Sequence, residues 1–121
     1  MSQNSITEIT LRDMINVSYE QMSPEQKHCW DAIKVIPEKW KQDPFGNLTD
    51  GFWVVALIGN SVIWFNEIEE GFNRSAFHEH GIIDDYWCNQ DELEISVQKV
   101  VNQIREGYDS AEYCGAPQPV A

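Results

Sequence analysis

Positive charge and cysteine are both scarce in this sequence. Eight bases stand against twenty acids in 121 residues, a formal net charge of −12. A field of that sign repels phosphate backbones and anionic bilayers, so neither nucleic-acid binding nor membrane attachment is expected. The three cysteines, Cys29, Cys88 and Cys114, are odd in number, widely spaced and without a CxxC pair. Such a set builds no disulfide framework. With no basic and apolar leader after Met1, it makes the reducing cytoplasm the expected compartment. No run approaches the ~20 apolar residues of a membrane span. The seven glycines are isolated turn markers, not a phosphate loop. Ser75 lacks the Gly-x-Ser-x-Gly surroundings of a nucleophile elbow. Repeats and linkers are also missing, so one domain is expected over residues 1–108, with a tail at 109–121 that carries no period.

What the sequence does have is a long apolar centre. Phe52–Ile58 and Val62–Phe65 are runs of β-branched and aromatic residues separated by Gly59-Asn60-Ser61. Gly followed by Asn predicts a β-hairpin, because glycine supplies the positive φ of a type II′ turn. A plain two-residue loop sets Ile58 opposite Ser61, Ala56 opposite Ile63 and Val54 opposite Phe65. Both faces are then apolar, so the hairpin must be covered on both sides.

The flanking chain supplies the covers. Residues 5–22 read as a helix with capping-box candidates at Ser5 and Thr10. A second helix starts at Ser23-Pro24-Glu25-Gln26, with Ser23 as cap, Pro24 at the first position and Gln26 completing the box. Its expected inward residues are Cys29, Trp30, Ile33 and Ile36, and Pro37 ends it. Residues 37–50 read as a packed loop. Beyond the hairpin, Glu69-Glu70-Gly71 predicts a turn with Gly71 left-handed, then a third strand at Phe72–Phe77. A short fourth strand is expected within 82–87. The final helix runs from about 90 to 107, with Leu93, Val97, Val100, Val101, Ile104 and Tyr108 on one stripe. The expected class is α+β: two N-terminal helices, a three- or four-stranded antiparallel meander over about 52–88, and a long C-terminal helix. If the helices leave one sheet face open, that face makes a homodimer.

The charge is concentrated. From Glu67 to Glu94 there are nine acids and one base, Arg74. Within this segment His78-Glu79-His80 suggests a metal pair, with Asp84, Asp85 or Cys88 as a third ligand, but no known spacing specifies that ligand. Cys88 as a nucleophile is opposed by the carboxylates around it. Carboxylates gathered at turns are usually solvated, so they do not read as a glycosidase pair. Asn73-Arg74-Ser75 reads either as an ion-paired stretch of strand or as the polar centre of a recognition surface.

These observations rank a non-enzymatic acidic binding protein first, engaging a basic protein in the manner of an inhibitor or immunity partner. Electrostatic steering and aromatic anchors would drive that contact. The candidate contact residues are Glu69, Glu70, Arg74, Asp84, Asp85 and Trp87. No catalytic residue, metal ligand set or cofactor is assigned. The alternatives are a small metal-dependent hydrolase centred on His78, His80 and Asp84, and a small regulatory or scaffold domain.

Overall fold

The computed structural model describes residues 6–106. Thr7 caps helix α1, Glu8–Gln21, its side chain accepting from the Thr10 amide, so the start lies between the two boxes expected. Helix α2, Pro24–Ile33, begins with the predicted reciprocal box between Ser23 and Gln26. Four strands follow: β1 at Lys34–Trp40, β2 at Phe52–Ile58, β3 at Ser61–Asn66 and β4 at Gly71–Ala76. Helix α3, Leu93–Glu106, closes the described chain. The sheet order β1-β2-β3-β4 is a continuous antiparallel meander, and the class is α+β as expected.

The hairpin forms around Gly59, whose φ is 57°, but its register differs from the simple expectation. Ile58 pairs with Ser61 and Ala56 with Ile63; the register then shifts, setting Val54 opposite Trp64 and Trp53 opposite Phe65. Val55 is the extra residue of a bulge. The bulge aims Val55 and Ala56 at the same side. Trp53, Val55, Ala56, Ile58, Ile63 and Phe65 therefore meet the helices, while Phe52, Val54, Leu57, Val62 and Trp64 face the other way.

The fourth strand comes from the N-terminal side. Helix α2 stops at Ile33, and Lys34–Trp40, expected to span a helix end and a loop, pairs with β2. Pro37 fits because β1 is an edge strand, where a missing N–H breaks no ladder. The register shift between Lys34 and Glu38 accompanies an outward Ile36, which is 80% exposed rather than inward. Trp40, expected in a packed loop, is in this strand and fully buried.

All three helices cover one sheet face, through Leu11, Met22, Cys29, Trp30, Leu93, Val97, Val100 and Val101. Ile104 lies in solvent, and Tyr108 and Gly107 fall outside the described residues. The second face is covered by residues 77–92, an irregular strap where a fourth strand was expected. Ile83 donates its N–H to the Lys41 carbonyl, and the next residue, Asp84, donates to the Ala76 carbonyl. One residue step thus joins the ends of β1 and β4, so the sheet curls around the strap-side core. Among the described residues both faces of the sheet are covered.

Glu70, with φ 61°, takes the left-handed position expected of Gly71. Gly71 serves close approach instead, since a Cβ there would collide with the backbone of Asn89 and Gln90. Gly71→Ala should push the strap away and destabilise the fold by about 1–3 kcal/mol, measured as a lower urea midpoint.

Candidate functional site

The strap is irregular, so its backbone groups need partners that a ladder would otherwise supply. Buried polar side chains of the sheet provide them. Asn73 binds the Asn89 backbone twice, its Nδ2 donating to the carbonyl and its Oδ1 accepting from the amide, both at 2.9 Å. Ser75 Oγ donates to the Asp85 carbonyl at 2.8 Å while accepting from the Trp64 indole at 2.9 Å. Asn66 Nδ2 donates to the Trp87 carbonyl at 2.9 Å, and its Oδ1 accepts from the amides of Ile68 and Glu69. At the strap's end the Phe72 amide donates to the Asp91 carbonyl. Residues 84–91 therefore run antiparallel along β4 and shield its edge.

This fixed strap presents aromatic and acidic groups together. Tyr86 lies against Phe52 and Trp64 on its inner side and stacks on Phe45 at 4.0 Å between centroids. Phe45 is 40% exposed, on the short 3-10 turn Phe45–Leu48. Burial pushes the Tyr86 hydroxyl above its ordinary pKa. Trp87 is half-buried beside it in sequence, and Asp84 and Asp85 precede it. Gln90 Nε2 donates to the Glu69 carbonyl at 3.0 Å, joining the strap to the β3–β4 turn that carries Glu69 and Glu70.

Five of the six expected contact residues thus lie on the strap or the adjoining turn: Glu69, Glu70, Asp84, Asp85 and Trp87. Arg74 does not join them. Its residue pairs with Ile63 on the helix side of the sheet, and its Nε donates to Ser61 Oγ at 2.8 Å. Asn73 and Ser75 are buried clamps for the strap rather than the centre of a surface. The acidic segment is also thinner outside than its sequence implies. Glu67 is buried, Glu94 is half-buried, and Asp91 accepts from Lys99 at 2.8 Å. Phe45 lay outside the expected set, since a phenylalanine in a Pro-Gly-rich loop carries no signal of its own.

The histidines part company. His78 pairs with Asp84 at 3.0 Å and His80 with Glu38 at 3.2 Å. Among the described residues no three His, Cys, Asp or Glu side chains are grouped to hold a metal ion. Glu38 is held below the usual carboxylate range, first by the Trp40 indole and then by His80.

No family model, curated protein or solved structure matches this chain. Among the described residues, no helix is long and apolar enough to cross a membrane.

Away from the strap, a groove of about 600 Å³ runs between α1, the end of α2 and the β1 edge. Ile15, Tyr19, Trp30, Val35 and Pro37 are among its lining residues. Its polar rim is satisfied internally: Arg12 bonds Glu8, Lys34 bonds Asp31, and the Tyr19 hydroxyl donates to Asp31. The groove offers apolar surface but no group poised for chemistry.

Two outcomes are expected. Asn73→Ala, which strips both partners from the Asn89 backbone, should cost about 1–3 kcal/mol by denaturant titration. The His78 ring should titrate by NMR above its ordinary 6.5, because the Asp84 bond favours imidazolium, and Asp84→Asn should return it. The pair then supports the fold fully below 6.5 and ceases to as pH rises through the raised native value.

Proposed function

We propose that this protein is a non-enzymatic binding protein whose strap face engages a basic protein, as an inhibitor or immunity-type partner would. The observation that carries the reading is the part-exposed stack of Phe45, from the Phe45–Leu48 turn, on Tyr86 of the strap, which also bears Asp84, Asp85 and Trp87. Aromatic rings of this kind anchor interfaces, and carboxylates near them steer a cationic partner and select its orientation. The clamps by Asn66, Asn73 and Ser75 matter because a surface already ordered loses little entropy on binding. Glu69 and Glu70, on the adjoining turn, extend the same negative surface. Arg74, bonded on the helix side, has no part in the contact.

The test is binding of the immobilised chain to a set of small proteins of pI above ~9, measured at rising salt. Affinity should fall at least ~10-fold between 50 and 500 mM salt, as screening shortens the reach of the carboxylates. The combined variant Glu69→Gln, Glu70→Gln, Asp84→Asn, Asp85→Asn should remove most of the salt dependence. Phe45→Ala should weaken binding about 10-fold while leaving that dependence in place. Binding that ignores salt, or that survives both variants, overturns the reading.

A further inference from the structure

Helix α1 turns one stripe toward the groove: Arg12, Ile15, Asn16 and Tyr19 recur at i, i+3, i+4 and i+7. The facing wall is the edge strand. Between the Lys34–Ala56 and Glu38–Val54 pairs, three residues of β1 stand against one of β2. Val35, Ile36 and Pro37 are therefore in excess of the ladder and border the groove. Val35 is 37% exposed and Ile36 80%, the highest of the large apolar residues described. Ile36 borders the groove without filling it. A projecting β-branched side chain thus stands beside an apolar hole on one surface.

We propose that a second copy of this chain occupies the groove, in a two-fold dimer where each Ile36 packs against Ile15 and Tyr19 of the other copy. Two features of the patch favour a copy over a foreign partner. Knob and hole lie together, as an isologous contact requires, since residue i must touch j while j touches i. The charged rim is self-complementary as well: Arg12 and Lys34 stand with Asp31, and Arg12 is bonded to Glu8. A basic partner meets two cations there and an acidic partner two carboxylates, whereas a copy presents each sign to its opposite. The pairs Arg12–Glu8 and Lys34–Asp31 are about half exposed, so they exchange partners across the axis at little cost. The contact sets side chains into a groove rather than strand on strand, so Pro37 and the irregular register of β1 do not oppose it. The strap lies on the other sheet face.

The sign of the salt dependence separates this contact from the strap's. Rim pairs are exchanged rather than created and add little net attraction, while two bodies of charge −12 repel. Screening relieves that repulsion, so the dimer tightens as salt rises, whereas a basic partner on the strap is released.

Sedimentation equilibrium of the full chain from ~20 µM to ~1 mM reads the dimer, and its dissociation constant should fall at least ~3-fold between ~50 and ~500 mM salt. Ile36→Glu should raise that constant at least ~10-fold. Because the side chain is 80% exposed in the monomer, the variant should keep the native urea midpoint. In a mixture of labelled and unlabelled chains, isotope-filtered NOEs should join the Ile36 methyls of one copy to the Tyr19 ring of the other. A chain that stays monomeric at ~1 mM in high salt overturns the proposal and leaves the groove to a peptide or small ligand. A dimer indifferent to Ile36→Glu, one that loosens with salt, or one whose intermolecular NOEs fall on Tyr86 and Trp87 overturns it as well.

Discussion

Strand β3 has no solvent face: Ser61 to Asn66 are all buried. A central strand in that condition requires a roof above and a roof below, and those two roofs are built by different physics. On one side three amphipathic helices satisfy their own backbones and need only present apolar stripes. On the other an irregular strap lays Ile83 and Tyr86 over Trp64, Val62 and Phe52, and its backbone must find partners elsewhere. Asn66, Asn73 and Ser75 are those partners, so the polar residues of the sheet and the aromatic core beneath the strap form one structure. Neither holds its place without the other.

The bulge at Val55 fits the same demand. A hairpin in simple register would set Val54 and Phe65 together on the Ala56 face, sending Val54 toward the helices and Val55 away. The added residue reverses this, giving Val55 and Trp53 to the helix side and Val54 to the strap side. It also increases local twist. That agrees with the curl by which Ile83 and Asp84, neighbours in sequence, reach the ends of opposite edge strands. The edges it brings together are then shielded: β4 by the strap, and β1 by Pro37, its irregular register and the lysines at 34 and 39, which discourage another strand from pairing there.

The parts of this fold readable from sequence are those decided within a few residues. Ser23-Pro24-Glu25-Gln26 carries its own cap, Gly59-Asn60 its own turn, and Leu93, Val97, Val100 and Val101 their own stripe. Strand β1 was not readable, because Pro37 says only that a helix must have ended, and the pairing that makes Lys34–Trp40 a strand lies with β2. The strap was hidden for a related reason. Asn73 and Ser75 look like the solvent face of a strand, and nothing nearby says that the chain returns to cover them. For the candidate site, the acidity of Glu69, Glu70, Asp84 and Asp85 was legible, whereas their separation from Arg74 depends on which side of β4 Arg74 takes. Glu67 differs from Glu69 in burial, and its carboxylate accepts from the amide of Ile6, sixty-one positions away.

The acids of the 67–94 segment consequently have different physical roles despite their uniform appearance. Glu67 is enclosed and lies off the solvent-facing surface. Asp91 is neutralised by Lys99 across a half-buried contact, tying the strap's end to α3. Glu69, Glu70, Asp84 and Asp85 remain on the turn and the strap, with the His78 ring bonded to Asp84. Their mutual repulsion would spread a flexible loop, yet here the backbone beneath them is held through its carbonyls by side chains that titrate nowhere near neutral pH. A surface of that kind keeps its shape while its charge is screened or neutralised. Ionic strength then changes the field around the face without changing the form it presents, which is the separation of steering from fit that the proposed binding role needs.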